Sequence, residues 1–566
     1  LLFPVVGWEK KEHAMGKKLR WKVASVVAAA GLAVLTGCGS GSDYSSELSS
    51  GNGGGTGISE IRSDPSDMGV GDIIAVNIES GDLFSLDFEG VDEEAQFILS
   101  IGSYDYGGYG SSVQLTSSSE VLPEVGGLAK GMMVESESEP DMDEVYGVDE
   151  IFSSWLRASE SALDGFEEKI SDPNETIGAK SLSFKTASFG DKESFRVLSS
   201  LTSTGSYVEV VAEARCVGSN VIFFVDEDVS EDDLSDADID ELCENFDRIA
   251  GEEQDLLGDS SDVDGDGKLH VLMTAQVNRL GALGGGIITG YFFAGDLYAR
   301  SSSNQVSNER EVIYTMVPDP SGKYGVSISK SFAMSNLLPA VLPHEFQHAI
   351  SYNQHVMVAG GTAEENWLNE GMSHFMEDYF GYGVENPSRY AMFLSSPSSY
   401  GVVTQGSPNL MERGAAYLFV RYLYEQASDG DAFLGRLTKT SSRGVANLET
   451  AFNGPAEMDT FSEMMARWTI ALGMTDRGIS RDSRYTYRER VRNSRTGNFE
   501  GVCLMCDAQD NRGTMLEGIN LNPYFGYHTV TMDASAMKFY ELSDFPSELQ
   551  IQGNSNGTFA VMIRTQ

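Results

Sequence analysis

Residues 344–348 read His-Glu-Phe-Gln-His, within the longer stretch LLPAVLPHEFQHAISYNQH. The chain has 566 residues and only seven histidines, and four of these (His344, His348, His355 and His374) fall between positions 344 and 374. On a helix, positions i and i+4 project from one face, so His344 and His348 can offer two imidazoles to one divalent cation. Glu345 lies beside that face, where its carboxylate reaches a water on the same ion without ligating the ion. The chemistry open to such a set is hydrolysis by an activated water. In a chain this poor in histidine, the pattern arises by chance with a likelihood under roughly 1%. Pro343 removes a backbone donor next to His344, so the helix is expected either to start near residue 341 or to kink at the site.

A tetrahedral catalytic site needs a third protein ligand and one open position. One arrangement places Gly three residues after the second His and a third His six after it. Here those positions hold Ser351 and Gln354, and His355 comes one place late, so that arrangement fails. The other takes a glutamate from the following helix. The stretch ENWLNEGMSHFMEDYFG supplies Glu370, 22 positions after His348 and behind a Gly360-Gly361 turn, a spacing that lets a second helix cross back over the first. His374 is i+4 from Glu370, shares its face and is the rival third ligand.

HEFQHAISYN followed by WLNEGMSHFMEDYF resembles the gluzincin metallopeptidases, especially the hyicolysin-type bacterial family. Asn369, Glu370 and Ser373 also resemble the thermolysin-type third-ligand motif, in which an Asp usually follows. Here His374 follows, and Glu377 or Asp378 is the substitute partner for a ligand. DVDGDGKLHVLMT upstream and RGAAYLFVRYLYEQ downstream are similar to the same group, so the resemblance covers roughly residues 185–475. It implies an α+β, zincin-like catalytic domain with a β-rich upper part and a helical lower part. It implies Zn²⁺ held by His344, His348 and Glu370, with Glu345 as general base. A Tyr or His usually helps to stabilise the oxyanion; Tyr417 is nominated first and His528 second. The implied activity is zinc-dependent endopeptidase action on a protein or peptide. The alternatives are a non-catalytic cell-surface binding protein on the same scaffold and a zinc aminopeptidase.

The elements that must position these residues follow from composition and periodicity. Residues 1–37 read as an upstream extension and a signal peptide: KKLRWK, an apolar run, then Leu35-Thr36-Gly37-Cys38. The ending resembles the bacterial lipobox, with Cys38 as the lipidated residue. This predicts an exported protein, lipid-anchored to the bacterial cell envelope. Residues 38–70 read as a Gly/Ser tether, 71–116 as a β-rich N-terminal region, and 117–182 as an acidic linker with one helix. Residues 183–495 read as the metallopeptidase domain, with strands first and helices from about 332 to 475, and 496–566 as a C-terminal β-rich region. The fold class is α+β, a central domain flanked by small β-rich regions.

Beyond residue 37 the chain carries 33 basic and 83 acidic residues, a net charge of −50. Such a surface repels nucleic acid and argues against that class of partner. Apart from Cys38, four cysteines remain: Cys216, Cys243, Cys503 and Cys506. An even number outside the cytosol suggests disulfides. Asp262-x-Asp264-x-Asp266-Gly267 has the spacing of a calcium loop, with the Lys268 carbonyl as a further ligand, although Met273 stands at the twelfth position where an EF-hand has Glu. The basic run RDSRYTYRERVRNSR (481–495) reads as pairing with acidic faces of the same molecule.

Overall fold

The computed structural model describes residues 64–117, 142–163, 186–510, 512–524 and 526–566. The expected signal peptide, Cys38 and most of the tether lie outside the described residues. In chain order the strands β1 (Ile73–Ile78), β2 (Leu83–Asp87), β3 (Phe97–Ser103) and β4 (Ser111–Ser117) come first, followed by helix α1 (Met142–Leu163). Next come β5 (Lys192–Leu198), β6 (Tyr207–Val217), β7 (Val221–Asp226), α2 (Asp236–Leu257), β8 (Leu269–Met273), α3 (Ala275–Leu283), β9 (Gly290–Phe292) and β10 (Val312–Thr315). A helical stretch follows: α4 (Lys330–Phe332), α5 (Leu338–Tyr352), α6 (Asn366–Tyr379), α7 (Asn386–Ser395), α8 (Leu410–Gln426), α9 (Gly430–Thr438), α10 (Gly444–Ala451) and α11 (Phe461–Met474). The chain ends with β11 (Val491–Arg492), β12 (Phe499–Glu500), β13 (Leu521–Pro523), β14 (His528–Met532), β15 (Met537–Leu542), β16 (Glu548–Gly553) and β17 (Thr558–Arg564). The fold is mixed α+β, with strands towards both ends.

The central sheet has the order β5-β6-β7-β8-β10-β9. β7, β8 and β10 run parallel, and β9 closes one edge antiparallel to β10. β7 (VIFFVD) and β8 (LHVLM) are buried along their whole length, as expected for parallel strands covered on both faces. Phe223 of β7 meets Phe246 of α2 edge-on at 6.4 Å, and Phe246 meets Phe346 of α5 edge-on at 5.9 Å. These aromatic contacts seat α5, the helix with the paired histidines, on the sheet through α2. The start of α2 is fixed by a reciprocal cap between Ser235 and Asp238, and α8 starts with the same device in Asn409 and Glu412.

The strands at the two ends of the chain make one β-sandwich. β17 pairs with β1 and β3, β15 pairs with β3, and β16 pairs with β2 and β4. Its sheets have the orders β1-β17-β3-β15-β13 and β14-β4-β16-β2. Read as sequence, these are two separate flanking regions; in space each of the strands β1–β4 pairs with a strand from the C-terminal region. The sandwich has its own apolar core, including Ile74, Phe97, Leu99, Val113, Leu549 and Met562. Helix α11 approaches it closely at Gly473, where a Cβ would stand 3.0 Å from the Ile563 side chain. Among the described residues, no helix is long and apolar enough to cross a membrane.

Candidate metal centre

Helix α5 carries His344, Glu345 and His348, and every one of its residues is buried. It begins at Leu338, earlier than expected, and runs on through Pro343. A π-helical turn precedes it (Ala333–Leu337) and another follows it (Asn353–Val358); such turns recur beside functional sites. Helix α6 crosses α5 and carries Glu370, His374 and Glu377. Gly371 lets α6 come close to α8: a Cβ there would stand 3.1 Å from the carbonyl oxygen of Ala416. Ser373 of α6 donates a hydrogen bond to Gln347 of α5, which fixes the register between the two helices.

His344 Nε2 lies 3.7 Å from Glu370 Oε2, and His348 Nε2 lies 3.6 Å from Glu370 Oε1. Three ligand atoms at about 2.1 Å from a tetrahedral zinc ion stand about 3.4 Å from one another. Both imidazole–carboxylate distances come close to this spacing, and one ligand atom from each of the three lies within 4.8 Å of the other two. Glu370 Oε2 is buried and accepts no hydrogen bond among the described residues, so an acceptor faces the shared point without a proton to satisfy it. By donor type and by spacing, the three residues fit a zinc ion.

Glu377 sets the orientation of the first imidazole. Its Oε1 is 2.8 Å from His344 Nδ1 and also 2.8 Å from His374 Nδ1. With Nδ1 so engaged, His344 presents Nε2 to Glu370, the arrangement by which carboxylates fix the tautomer of ligating histidines. His344, His374 and Glu377 form a second group close enough to hold a cation. In that group, however, the Glu377 oxygen is already bonded to both imidazoles. Asp378, the other residue nominated as partner, instead meets Arg421 at 2.8 Å and accepts the Gly501 N–H.

The charges are arranged in opposition. Burial pushes the Glu370 carboxyl up, but the charge of Arg413, helped by His344, outweighs it and holds the group well below the usual carboxylate range. Burial, helped by the positive charge of Arg157, drives His348 well below its ordinary value and keeps it neutral, as a metal ligand must be. Burial would lower His344 too, but its hydrogen bond to Glu377 and the charge of Glu345 raise it. Glu345 is pushed up to about 7, chiefly by burial, with His344 opposing. Its Oε2 accepts the N–H of Phe292 at 2.9 Å, which ties the carboxylate to edge strand β9.

The cavity at this centre has residues of α1 in its wall. Asp149, Ser153, Leu156 and Arg157 line it together with His344, Glu345 and His348. Phe152 of α1 packs edge-on against Tyr291 of β9 at 5.2 Å. Arg413 of α8 bridges the helix to the centre, 3.3 Å from Asp149 and 3.6 Å from Glu370. Neither Arg413 nor Arg389, which lies 3.8 Å from Glu377, stands out in the sequence. The one available signal is an arginine on an otherwise apolar helix face, and it is weak.

The other residues singled out by sequence lie elsewhere. Tyr417 is buried in α8, stacks on Tyr390 and lines a separate cavity with Asp378 and Arg490. His528 is on β14 of the sandwich, with Nε2 3.1 Å from the Tyr540 hydroxyl. Neither residue lines the cavity of the histidine pair. His355 approaches Glu364 at 3.8 Å, away from the trio. Cys216 is bonded to Cys243 and Cys503 to Cys506. In the basic run, Arg484 pairs with Asp482 and Arg495 with Glu252. Lys268 donates its backbone N–H to Asp266 Oδ1 at 2.8 Å within the acidic loop.

No protein-family model matches the chain, and a search of curated proteins finds no match to it.

Proposed function

We propose that the chain is a zinc-dependent endopeptidase of gluzincin type, exported and anchored by a lipid on Cys38. The observation that carries the reading is the convergence of His344 Nε2 and His348 Nε2 on the two oxygens of Glu370, at 3.7 and 3.6 Å. When bound, zinc supplies Lewis-acid polarisation of the scissile carbonyl and makes water acidic near neutral pH. His344, His348 and Glu370 would hold the ion. Glu345 stands next to His344 and takes the proton of the attacking water; it then delivers that proton to the departing amine. The Phe292 N–H holds the carboxylate in place for both transfers. Glu377 keeps His344 in the ligating tautomer.

The test uses the zinc-loaded protein, casein and the variant Glu345→Gln. Chelator-sensitive cleavage of internal bonds, lost in Glu345→Gln while zinc is retained, is the expected result. Zinc retained with no cleavage by the wild type would assign the chain to the binding proteins instead. Release of single N-terminal residues alone would make it an aminopeptidase.

A further inference from the structure

A second acidic cluster lies outside this centre, on the loop leading into β8. Asp262, Asp264 and Glu311 each place a ligand oxygen within 4.8 Å of the others, and Asp266 and His270 adjoin Asp264 in an overlapping group. Gly265 and Gly267 both have positive φ (74° and 72°), which allows the loop to curl round its own carboxylates. The Gly267 N–H donates to Asp262 Oδ1 at 2.9 Å, and the Val263 N–H donates to Glu311 Oε1 at 2.8 Å.

Two observations point beyond a solvated turn. Asp264 and Glu311 are 4% and 1% exposed, so neither is a surface charge. Among the described residues, Asp264 Oδ2 and Glu311 Oε2 are also both buried without a hydrogen-bond partner. A buried carboxylate oxygen left unpaired is costly, and two of them in one cluster call for a cation. The nearest protein cation is Arg310, whose Nε stands 4.0 Å from Asp264 Oδ2 while its Nη1 is taken by Glu193. His270 is occupied by Asp266 at 3.1 Å. One guanidinium does not neutralise four carboxylates.

We propose that the 262–267 loop and Glu311 form a calcium site, with carboxylate oxygens of Asp262, Asp264 and Glu311 as ligands and Asp266 completing the acidic cradle. A set of carboxylate oxygens suits a hard cation with a large and variable coordination shell, which favours calcium over zinc or magnesium. Glu311 takes the part that a glutamate within the loop plays in an EF-hand, but it comes from the residue just before β10. The ion therefore clamps the entry of β8 to the entry of β10, where the His270 N–H already bonds the Glu311 carbonyl at 3.0 Å. β10 carries β9, and β9 holds Glu345, so the clamp also steadies the edge of the metal centre.

The test is calorimetric titration of CaCl₂ into the full, zinc-loaded chain after removal of loosely bound metal, with thermal denaturation alongside. One calcium ion per chain is expected, together with a melting temperature that rises on adding about 2 mM CaCl₂, within the range of extracellular calcium modules. Asp262→Asn, at an exposed position that tolerates change, should weaken calcium binding about tenfold; Asp264→Asn with Glu311→Gln should abolish it with zinc content unchanged. Absence of calcium binding in the wild type would overturn the proposal. So would wild-type affinity in a folded Asp262→Asn protein, or in a folded double variant.

Discussion

Glu377 Oε1 stands 2.8 Å from His344 Nδ1, on the far side of the ring from Glu370. The pair turns a histidine that could face either way into one with a single presented nitrogen. Glu377→Gln can still accept or donate one hydrogen bond but no longer carries the charge that raises the basicity of the ring. Zinc affinity, measured by competition with a chromogenic chelator, should fall about 10- to 100-fold. His374→Ala should lower it much less. A larger loss from His374→Ala than from Glu370→Ala would move the metal to the neighbouring group.

Under the peptidase reading proposed above, helix α1 and a peptide substrate would compete for one cavity. Phe152 is fully buried against Tyr291 and Leu156 nearly so, and Arg157 places its charge near Glu345 and His348. Phe152→Asp removes an aromatic contact whose loss costs about 3–5 kcal/mol in a core, enough to loosen the helix. Casein cleavage by the zinc-loaded variant should rise about tenfold or more, and trypsin should cut faster at Arg157. Faster cutting at Arg157 with unchanged casein cleavage would show that the helix does not obstruct the centre.

Glu253 is fully buried on α2, and neither carboxylate oxygen has a partner among the described residues. Burial alone pushes its carboxyl well above the ordinary value of 4.5. Between the unfolded and the raised folded value, the native state holds the extra proton, so stability falls as pH rises through that window. Glu253→Met keeps the volume and removes the titration. The variant should melt higher than wild type at pH 8, with a distinctly smaller gain at pH 5. Equal gains at both pH values would contradict the assignment.

The Cys216–Cys243 bond ties β6 to α2 across 27 positions, next to a register shift between Ala214 and Cys216. Closing a loop of that length restricts the unfolded chain by about 3.5 kcal/mol. Replacing both cysteines by alanine should lower the urea unfolding free energy by about that amount and leave zinc content unchanged. A loss below about 1 kcal/mol would place the bond among those with little effect on the unfolded state.

The paired histidines and Glu370 could be read from sequence because their spacing is local and their chemistry narrow: two positions on one helix face, and a glutamate one helix later. Glu377 was in reach for the same reason, although periodicity alone did not separate it from Asp378. Tyr417 and His528 were nominated by residue type, and type does not say which way a buried ring faces; Tyr417 turns to Tyr390, and His528 belongs to another sheet. Glu311 is 48 positions from Val263, whose N–H it accepts, and Arg413 is 264 from Asp149. Contacts at such range leave no periodic trace. Pro343 predicts a helix that starts near residue 341 or kinks at the site. Instead, helical backbone is continuous from Lys330 through the π-turn at Ala333–Leu337, and α5 runs on through Pro343.

The Thr558 hydroxyl donates to the carbonyl of Ile78, 480 positions away. A chain made from its N-terminus therefore exposes β3, whose seven residues are all buried in the finished fold, long before its partners β15 and β17 exist. Pairing at such range is slow, and an unpaired apolar strand is open to wrong partners. Completion of the sandwich thus waits on the last stretch of polypeptide, and a ribosome that stalls before β17 leaves the earliest strands stranded rather than half-built.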